Sequence, residues 1–230
     1  MVTGMPKIGK IQGVCEPCAL GKHARTPFPK TSSWRAKQIL ELVHCDLWGP
    51  AQVNSLGGSR YFMSLIDDYS RKCWLYFLKS KSETLDVFKQ WKAYVENETG
   101  MKVKTLRTDR GGEFMSNEFD LLCNESGMFH QLTTAYSPQQ NGVAKRKNRT
   151  VVEGARCMLK DSGLGCKFWT EAVHTAMYLQ NRSPTKVLDG MTLEEVYYGM
   201  KPSVSLIFVC LDAWHMLMCT SKIGRNWMIN

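Results

Sequence analysis

The order of short apolar segments along the chain limits its possible folds more than any other feature. Apolar runs at residues 39–47, 61–66 and 74–78 predict three β-strands, and Gly, Pro, Asp or Ser residues follow the first two, as is common where strands end. Beyond them, helical and strand patterns alternate. The predicted elements are a helix after the capping residues Ser80 and Glu83, a strand at 103–108, a helix at 117–125, a strand at 128–132, a helix from Ser137 and a helix at 168–179.

This order predicts a mixed α/β sheet. Three consecutive antiparallel strands followed by alternating helices and strands place helices on both faces of one sheet, which is the ribonuclease H-like arrangement. With 230 residues, of which 43% are hydrophobic, the chain can bury one large core. We assign this core domain to residues 38–165, a remnant and linker to 1–37, a helical extension to 166–205 and an aberrant tail to 206–230.

The tail differs from the rest of the chain in composition. Seven of its 25 residues are Trp, Met or Cys, against 22 in the preceding 205 residues. A frameshifted or foreign ending explains this change, and an ordinary buried strand at 206–211 is the alternative. In the first case we expect poor packing, with exposed apolar side chains that favour aggregation.

Charge and cysteine content indicate the environment and the partner. Lys and Arg total 30 against 21 Asp and Glu, a net charge of +9, which suits a polyanion such as DNA; a solvated basic surface is the alternative. The nine cysteines and the lack of a signal-peptide pattern favour a reducing compartment, hence cytoplasm and nucleus. The longest apolar stretch, residues 206–219, is too short to cross a bilayer, so we expect no membrane partner. We also expect no small-molecule substrate.

Two aspartates stand at predicted strand ends. Asp46 lies near the end of the first strand and Asp109 at the end of the fourth, with 62 residues between them. If these strands pair side by side, the two carboxylates converge, as required to hold two divalent cations about 3.5–4 Å apart for phosphoryl transfer. Aspartates at strand ends are also common without such a role. Lys145, a further 36 positions along the chain on the following helix, would face the same point.

Three motifs together resemble a known family. They are HCDLWGP at 44–50, LRTDRGGEF at 106–114 and SPQQNGVAKRKNRT at 137–150, and they resemble the integrase core of copia-type (Pseudoviridae) retrotransposon Pol polyproteins. The resemblance extends from about Cys15 to about Ser205. It implies DNA integration by 3′-end processing and strand transfer, Mg²⁺ or Mn²⁺ as cofactor, and oligomers of integrase subunits. It also implies that the metal ligands Asp, Asp and Glu match positions 46, 109 and 145.

Lys145 departs from this pattern. An ammonium group cannot coordinate Mg²⁺ and repels it, so we expect this copy to be catalytically inactive. We expect Lys145 to pair with Asp46 and Asp109 and to relieve their mutual repulsion in place of the metals. Glu153 lies eight residues on, roughly 12 Å along the helix, and is too far to substitute. Two alternatives stay open: a DNA- or partner-binding module without chemistry, and a weakly active metal-dependent nuclease.

The pair Cys15 and Cys18 has the spacing of zinc ligands. The resemblance implies that it is the second half of a His-His-Cys-Cys zinc module, so the site within this chain is incomplete even if His23 adds a ligand. Bound zinc and free thiols are the two alternatives.

No other acid is evident that could replace the carboxylate missing at position 145, since nothing in the pattern aims Glu113 or Asp67 at the site.

Polar and basic residues around Lys145 predict contacts to nucleic acid. The candidates are Gln140, Asn141, Arg146, Lys147 and Arg149. Because the residues of a helix point around its axis, only some of them can face DNA. For the amides, the alternative is helix capping. For the basic run, the alternatives are a solvated helix face and a nuclear import signal.

Overall fold

The computed structural model describes residues 34–133 and 141–201, which lie within the compact unit Trp34–Asn230. Five strands and five helices follow one another in this part of the chain. The strands are β1 (Val43–Trp48), β2 (Tyr61–Asp67), β3 (Cys73–Leu78), β4 (Thr105–Thr108) and β5 (Phe129–Leu132). The helices are α1 (Thr84–Thr99), α2 (Asn117–Glu125), α3 (Gly142–Ser162), α4 (Trp169–Arg182) and α5 (Leu193–Tyr198).

The strands form one mixed sheet in the order β3-β2-β1-β4-β5. Strands β1, β2 and β3 pair antiparallel, whereas β4 is parallel to both β1 and β5. The predicted ribonuclease H-like α/β arrangement is confirmed. Strand β1 begins at Val43, four residues later than predicted, because Leu40 has a left-handed backbone (φ 59°) and its N–H donates to Asp67 Oδ1 at 2.8 Å instead of to a strand.

Two hydrophobic cores lie on opposite faces of the sheet, because successive side chains of a strand point to opposite sides. On one face, Met63 and Leu65 of β2 pack with α1 and α2. On the other, Phe62 and Ile66 of the same strand pack with α3 and α4. Helices therefore cover both faces, as predicted.

Local signals explain where several helices begin and end. Ser80 and Glu83 form the predicted capping box ahead of α1, and Gly100, with a left-handed backbone at φ 69°, ends that helix. The predicted start of the long helix at Ser137 lies outside the described residues, and the helix is described from Gly142. Within the two described ranges, every helix is too short or too polar to cross a lipid bilayer.

Trp91 tests the first of these cores. Its side chain is fully buried in α1 and contacts the rings of Trp74 and Phe88, with centroid separations of 5.7 and 5.6 Å. We expect Trp91→Ala to lower the free energy of unfolding by about 3–5 kcal/mol, as measured by urea denaturation. Tyr94→Ala, on the same helix but 53% exposed, is the control and should cost about 1 kcal/mol or less. Equal losses in both variants would contradict this assignment of the core.

Candidate functional site

The site is built where two parallel strands end side by side. In the pairing of β1 with β4, Val43 lies opposite Leu106 and His44 opposite Arg107. Two positions further along, this register places Asp46 and Asp109 at the same level. The sheet topology therefore brings the two predicted carboxylates together, although 62 residues separate them in the sequence.

Asp46 is buried and held by two asparagine amides. Its Oδ1 accepts a hydrogen bond from Asn141 Nδ2 at 3.0 Å, and its Oδ2 accepts one from Asn148 Nδ2 at 2.9 Å. Both asparagines are also buried, and Asn141 Nδ2 donates in addition to the Cys45 carbonyl. Donors aimed at both oxygens stabilise the ionised carboxylate.

Burial and the neighbouring charge of Asp109 instead destabilise the ionised form of Asp46. Burial raises the pKa of Asp46 to about 6, and repulsion from Asp109 contributes to the rise. The positive charge of Lys145 and the two asparagine hydrogen bonds oppose the rise in this pKa. Asp46 therefore changes its charge in a pH range where an ordinary aspartate is already fully ionised.

Lys145 occupies the first turn of α3 and forms an ion pair with Asp109, with 3.7 Å between Nζ and Oδ2. Both side chains are partly exposed, at 41% and 35%. The other oxygen of Asp109, Oδ1, accepts a hydrogen bond from the Gly111 N–H at 3.0 Å. The expected pairing of Lys145 with both aspartates is thus found only with Asp109, and Lys145 acts on Asp46 through its charge alone.

These contacts test whether the site fits the two magnesium ions that the resemblance implies. All four carboxylate oxygens of Asp46 and Asp109 face a protein donor, and the third position presents an ammonium group. Among residues 34–133 and 141–201, no group of three or more His, Cys, Asp or Glu side chains is arranged to hold a metal ion. The residues present do not fit a two-metal centre.

A third acid lies closer to the site than the sequence indicated. A Cβ added at Gly111 would lie 2.8 Å from the carboxyl carbon of Glu113 and 3.1 Å from Asp109 Oδ1, so both carboxyl groups flank this glycine. Glu113 also pairs with Lys81 at 3.4 Å. The sequence pattern gave no sign of this proximity, which arises from the turn after β4. A side chain at position 111 would require the Glu113 carboxyl group to move and would crowd Asp109 Oδ1.

The predicted nucleic-acid contacts fall in different surroundings. Arg146 and Arg149 are exposed on α3. Asn141, predicted to contact DNA, is instead fully buried and binds Asp46, which corrects that assignment. Lys147 is largely covered, and burial lowers its pKa, so it does not extend into solvent beside Lys145. Gln140, Cys15 and Cys18 lie outside the described residues.

Asn148 was missed by the sequence reasoning. It lies three residues after Lys145 and seven after Asn141, which are spacings that place side chains on one face of a helix. That spacing was a usable signal. It could not show that the shared face is turned toward Asp46, because this depends on how α3 packs on the sheet.

The sequence of this chain is similar to those of known proteins. The family model described as the integrase core domain matches residues 36–138. The retrovirus-related Pol polyprotein from transposon TNT 1-94 of Nicotiana tabacum is 47% identical over 204 residues, covering 88% of this chain and 15% of the relative. The corresponding polyprotein from transposon RE2 of Arabidopsis thaliana is 32% identical over 189 residues, covering 82% of this chain and 13% of the relative.

Solved structures show the same fold. A chain of the simian T-cell lymphotropic virus intasome in complex with PP2A regulatory subunit B56 gamma aligns with a TM-score of 0.63 and 16% identity, covering 83% of this chain and 64% of the other. The HTLV-2 integrase catalytic core domain in complex with magnesium, in its trimeric form, aligns with a TM-score of 0.54 and 18% identity. This alignment covers 71% of this chain and 99% of the other.

The fold is therefore that of retroviral integrase catalytic cores. Together with the integrase core domain match and the plant Pol polyproteins, it supports a retrotransposon integrase. The chain spans about one seventh of the length of these polyproteins.

The raised pKa of Asp46 gives a prediction about stability. Since this pKa rises from 3.8 to about 6 on folding, the native state holds the proton longer than the unfolded state, and the free energy of unfolding falls as pH rises through that window. The Asp46→Asn variant has no titrating group at this position, so its free energy of unfolding does not show this fall with pH. Between pH 4 and pH 8, we expect the variant to gain up to about 3 kcal/mol on the native chain in urea unfolding.

The matched control is Asp161→Asn, which removes an exposed carboxylate from the end of α3. Its stability should follow that of the native chain across the same pH range. A constant difference between the native chain and Asp46→Asn at every pH would show that Asp46 titrates as an ordinary aspartate.

Proposed function

We propose that this chain is a copia-type integrase core that binds DNA but does not process or join it. The ion pair between Lys145 and Asp109 carries the proposal, because it places a positive charge where metal-dependent phosphoryl transfer needs a further carboxylate. DNA integration by polynucleotidyl transfer is the function that the homologous cores support. In this chain, the chemistry is blocked and the fold is kept.

The electrostatics of the site support this reading. Two close carboxylates without metals repel each other, and the Lys145 ammonium compensates part of that charge. The asparagine amides and the Gly111 N–H satisfy the remaining carboxylate oxygens. A divalent cation would have to displace these donors and approach a positive side chain.

Retained DNA binding rests on charge and position. The chain has a net charge of +9, and exposed Arg149 lies one helical turn after Lys145 on α3. We propose DNA as the partner, together with further integrase subunits, since the HTLV-2 core structures are described as trimeric and dimeric. The five described cysteines are free, which supports our proposal of a reducing compartment, cytoplasm and nucleus.

Lys145→Glu tests the blocked chemistry, with Lys145→Met as its matched control. Both variants remove the positive charge, but only glutamate adds a carboxylate beside Asp46 and Asp109. Changes to groups that only hydrogen-bond to metal ligands alter metal affinity by about 10- to 100-fold, so we expect Lys145→Glu, which adds a ligand, to bind Mn²⁺ at least about a hundredfold more tightly than the native chain. Titration calorimetry measures this affinity, and a strand-transfer assay on short duplex ends measures the chemistry.

We expect metal-dependent strand transfer from Lys145→Glu, and none from the native chain or Lys145→Met. Strand transfer by the native chain with Mg²⁺ or Mn²⁺ would refute the inactive assignment. Metal-dependent nicking without joining would instead establish the weakly active nuclease.

Arg149→Gln tests the proposed DNA surface. Removing one phosphate contact should reduce the slope of log binding constant against log salt concentration by about 0.9 for duplex DNA. Lys89→Gln, an exposed change on α1 at the opposite face of the sheet, should leave that slope unchanged. The measurement is fluorescence anisotropy of a labelled duplex at several salt concentrations. Equal changes in both variants would mean that DNA binds through net charge alone.

A further inference from the structure

A cavity of about 590 Å³ lies on the other flank of α3 from Lys145. It is open to solvent and is bordered by α3, the C-terminal end of α4, the segment after α4 and the turn between β2 and β3. We call it the basic cavity, because three cations line it, Arg71, Arg146 and Lys147, and no Asp or Glu is among its described lining residues. Its volume lies within the range of sites that bind small ligands.

The helical repeat explains why the basic cavity lies beside the carboxylates. Val143, Arg146, Lys147 and Thr150 line it, and they recur at spacings of three and four residues along α3. Lys145 lies between them in sequence but points to Asp109. One helix, about 10–12 Å across with its side chains, therefore separates the basic cavity from the candidate functional site.

The cations of the basic cavity are poorly neutralised by the protein. Arg71 Nη1 donates to Asp68 Oδ1 at 2.8 Å, but His44 Nε2 binds the same oxygen at 2.9 Å and the Ala36 N–H donates to the other. One carboxylate is thus shared among three donor groups. Arg71 Nε is buried without a hydrogen-bond partner in the described part of the chain.

The two cations from α3 add to this surplus. Across residues 34–133 and 141–201, neither Arg146 nor Lys147 forms an ion pair with a carboxylate. Partial burial of Lys147 removes water from its ammonium group, which lowers its pKa and strengthens its attraction to any anion that enters. The cations that line the basic cavity therefore favour the binding of an anion.

The rest of the lining selects among anions. Ile66, Val143, Val187 and Leu193 supply apolar surface next to the cations. A free inorganic anion would leave that surface unused, whereas a nucleotide carries both a phosphate and a flat base whose faces can pack on apolar side chains. Arginine is suited to phosphate because its planar fork donates two parallel hydrogen bonds.

We propose that the basic cavity binds one unpaired nucleotide of a single-stranded DNA end, with its phosphate on Arg71, Arg146 and Lys147 and its base on the apolar lining. This rests on the proposed DNA-binding function and deepens it. It gives the protein a place to hold a frayed or overhanging strand next to the position of the blocked chemistry.

The test titrates the ¹⁵N-labelled chain with a 5′-phosphorylated thymidine dinucleotide and follows amide shifts. We expect the largest shifts at Val143, Thr150 and Val187. Arg146→Gln combined with Lys147→Gln should weaken binding at least tenfold. Arg71 is left unchanged because its pairing with Asp68 supports the fold. Lys89→Gln combined with Lys104→Gln removes the same charge from exposed positions outside the basic cavity and should bind as the native chain does.

Three results would overturn the proposal. They are equal binding of thymidine, which carries no phosphate, equal weakening in both double variants, and tighter binding of a glutamate hexapeptide at the same amides, which would make the basic cavity a peptide site. Duplex binding, measured in parallel, separates the two proposals. If the duplex binds normally while the dinucleotide moves none of these amides, the cavity assignment alone fails. If the dinucleotide binds there and the duplex does not bind at all, the DNA-binding function fails.

Discussion

Two carboxylates at the ends of adjacent parallel strands repel each other, and the surrounding structure must balance this repulsion. Asp46 and Asp109 are close because β1 pairs with β4, and their repulsion, together with burial, raises the pKa of Asp46 to about 6. In a two-metal enzyme, the cations balance such charges. Here the balance comes from Lys145, two asparagine amides and one backbone N–H. The carboxylate oxygens at this edge of the sheet thus all have protein partners in this chain.

Helix α3 connects the two parts of the molecule that bear on function. One flank carries Lys145 and Asn148 toward the carboxylates, and the other carries Arg146 and Lys147 toward the basic cavity. The helix keeps this orientation because Ala144, Val151 and Ala155 form a buried stripe against the sheet and α4. Small side chains in that stripe let α3 pack closely, so both flanks are held in place by the hydrophobic core.

Much of the fold was predictable because its elements have strong local signals. Alternating apolar runs and capping residues predicted the order of strands and helices, and the strand-end aspartates were predicted to converge. The start of β1 was wrong because Leu40 adopts a left-handed backbone that depends on a hydrogen bond to Asp67, 27 residues away. Asn141 was assigned to DNA because its residue type suits it, whereas packing turned it toward Asp46. Lys147 is partly buried and lines the basic cavity instead of extending into solvent beside Lys145.

By itself, the sequence determined the class of fold, the two aspartates and the cation that stands in the third position, since these follow from residue identity and short-range periodicity. Only the tertiary structure decided which donors satisfy the carboxylates, that Glu113 lies beside Asp109 and that a cation-lined cavity exists. The hydrogen bonds from Asn141 and Asn148 to Asp46 join residues 95 and 102 positions apart. The direction in which a helix face points is set by long-range packing, and local sequence patterns do not reveal this packing.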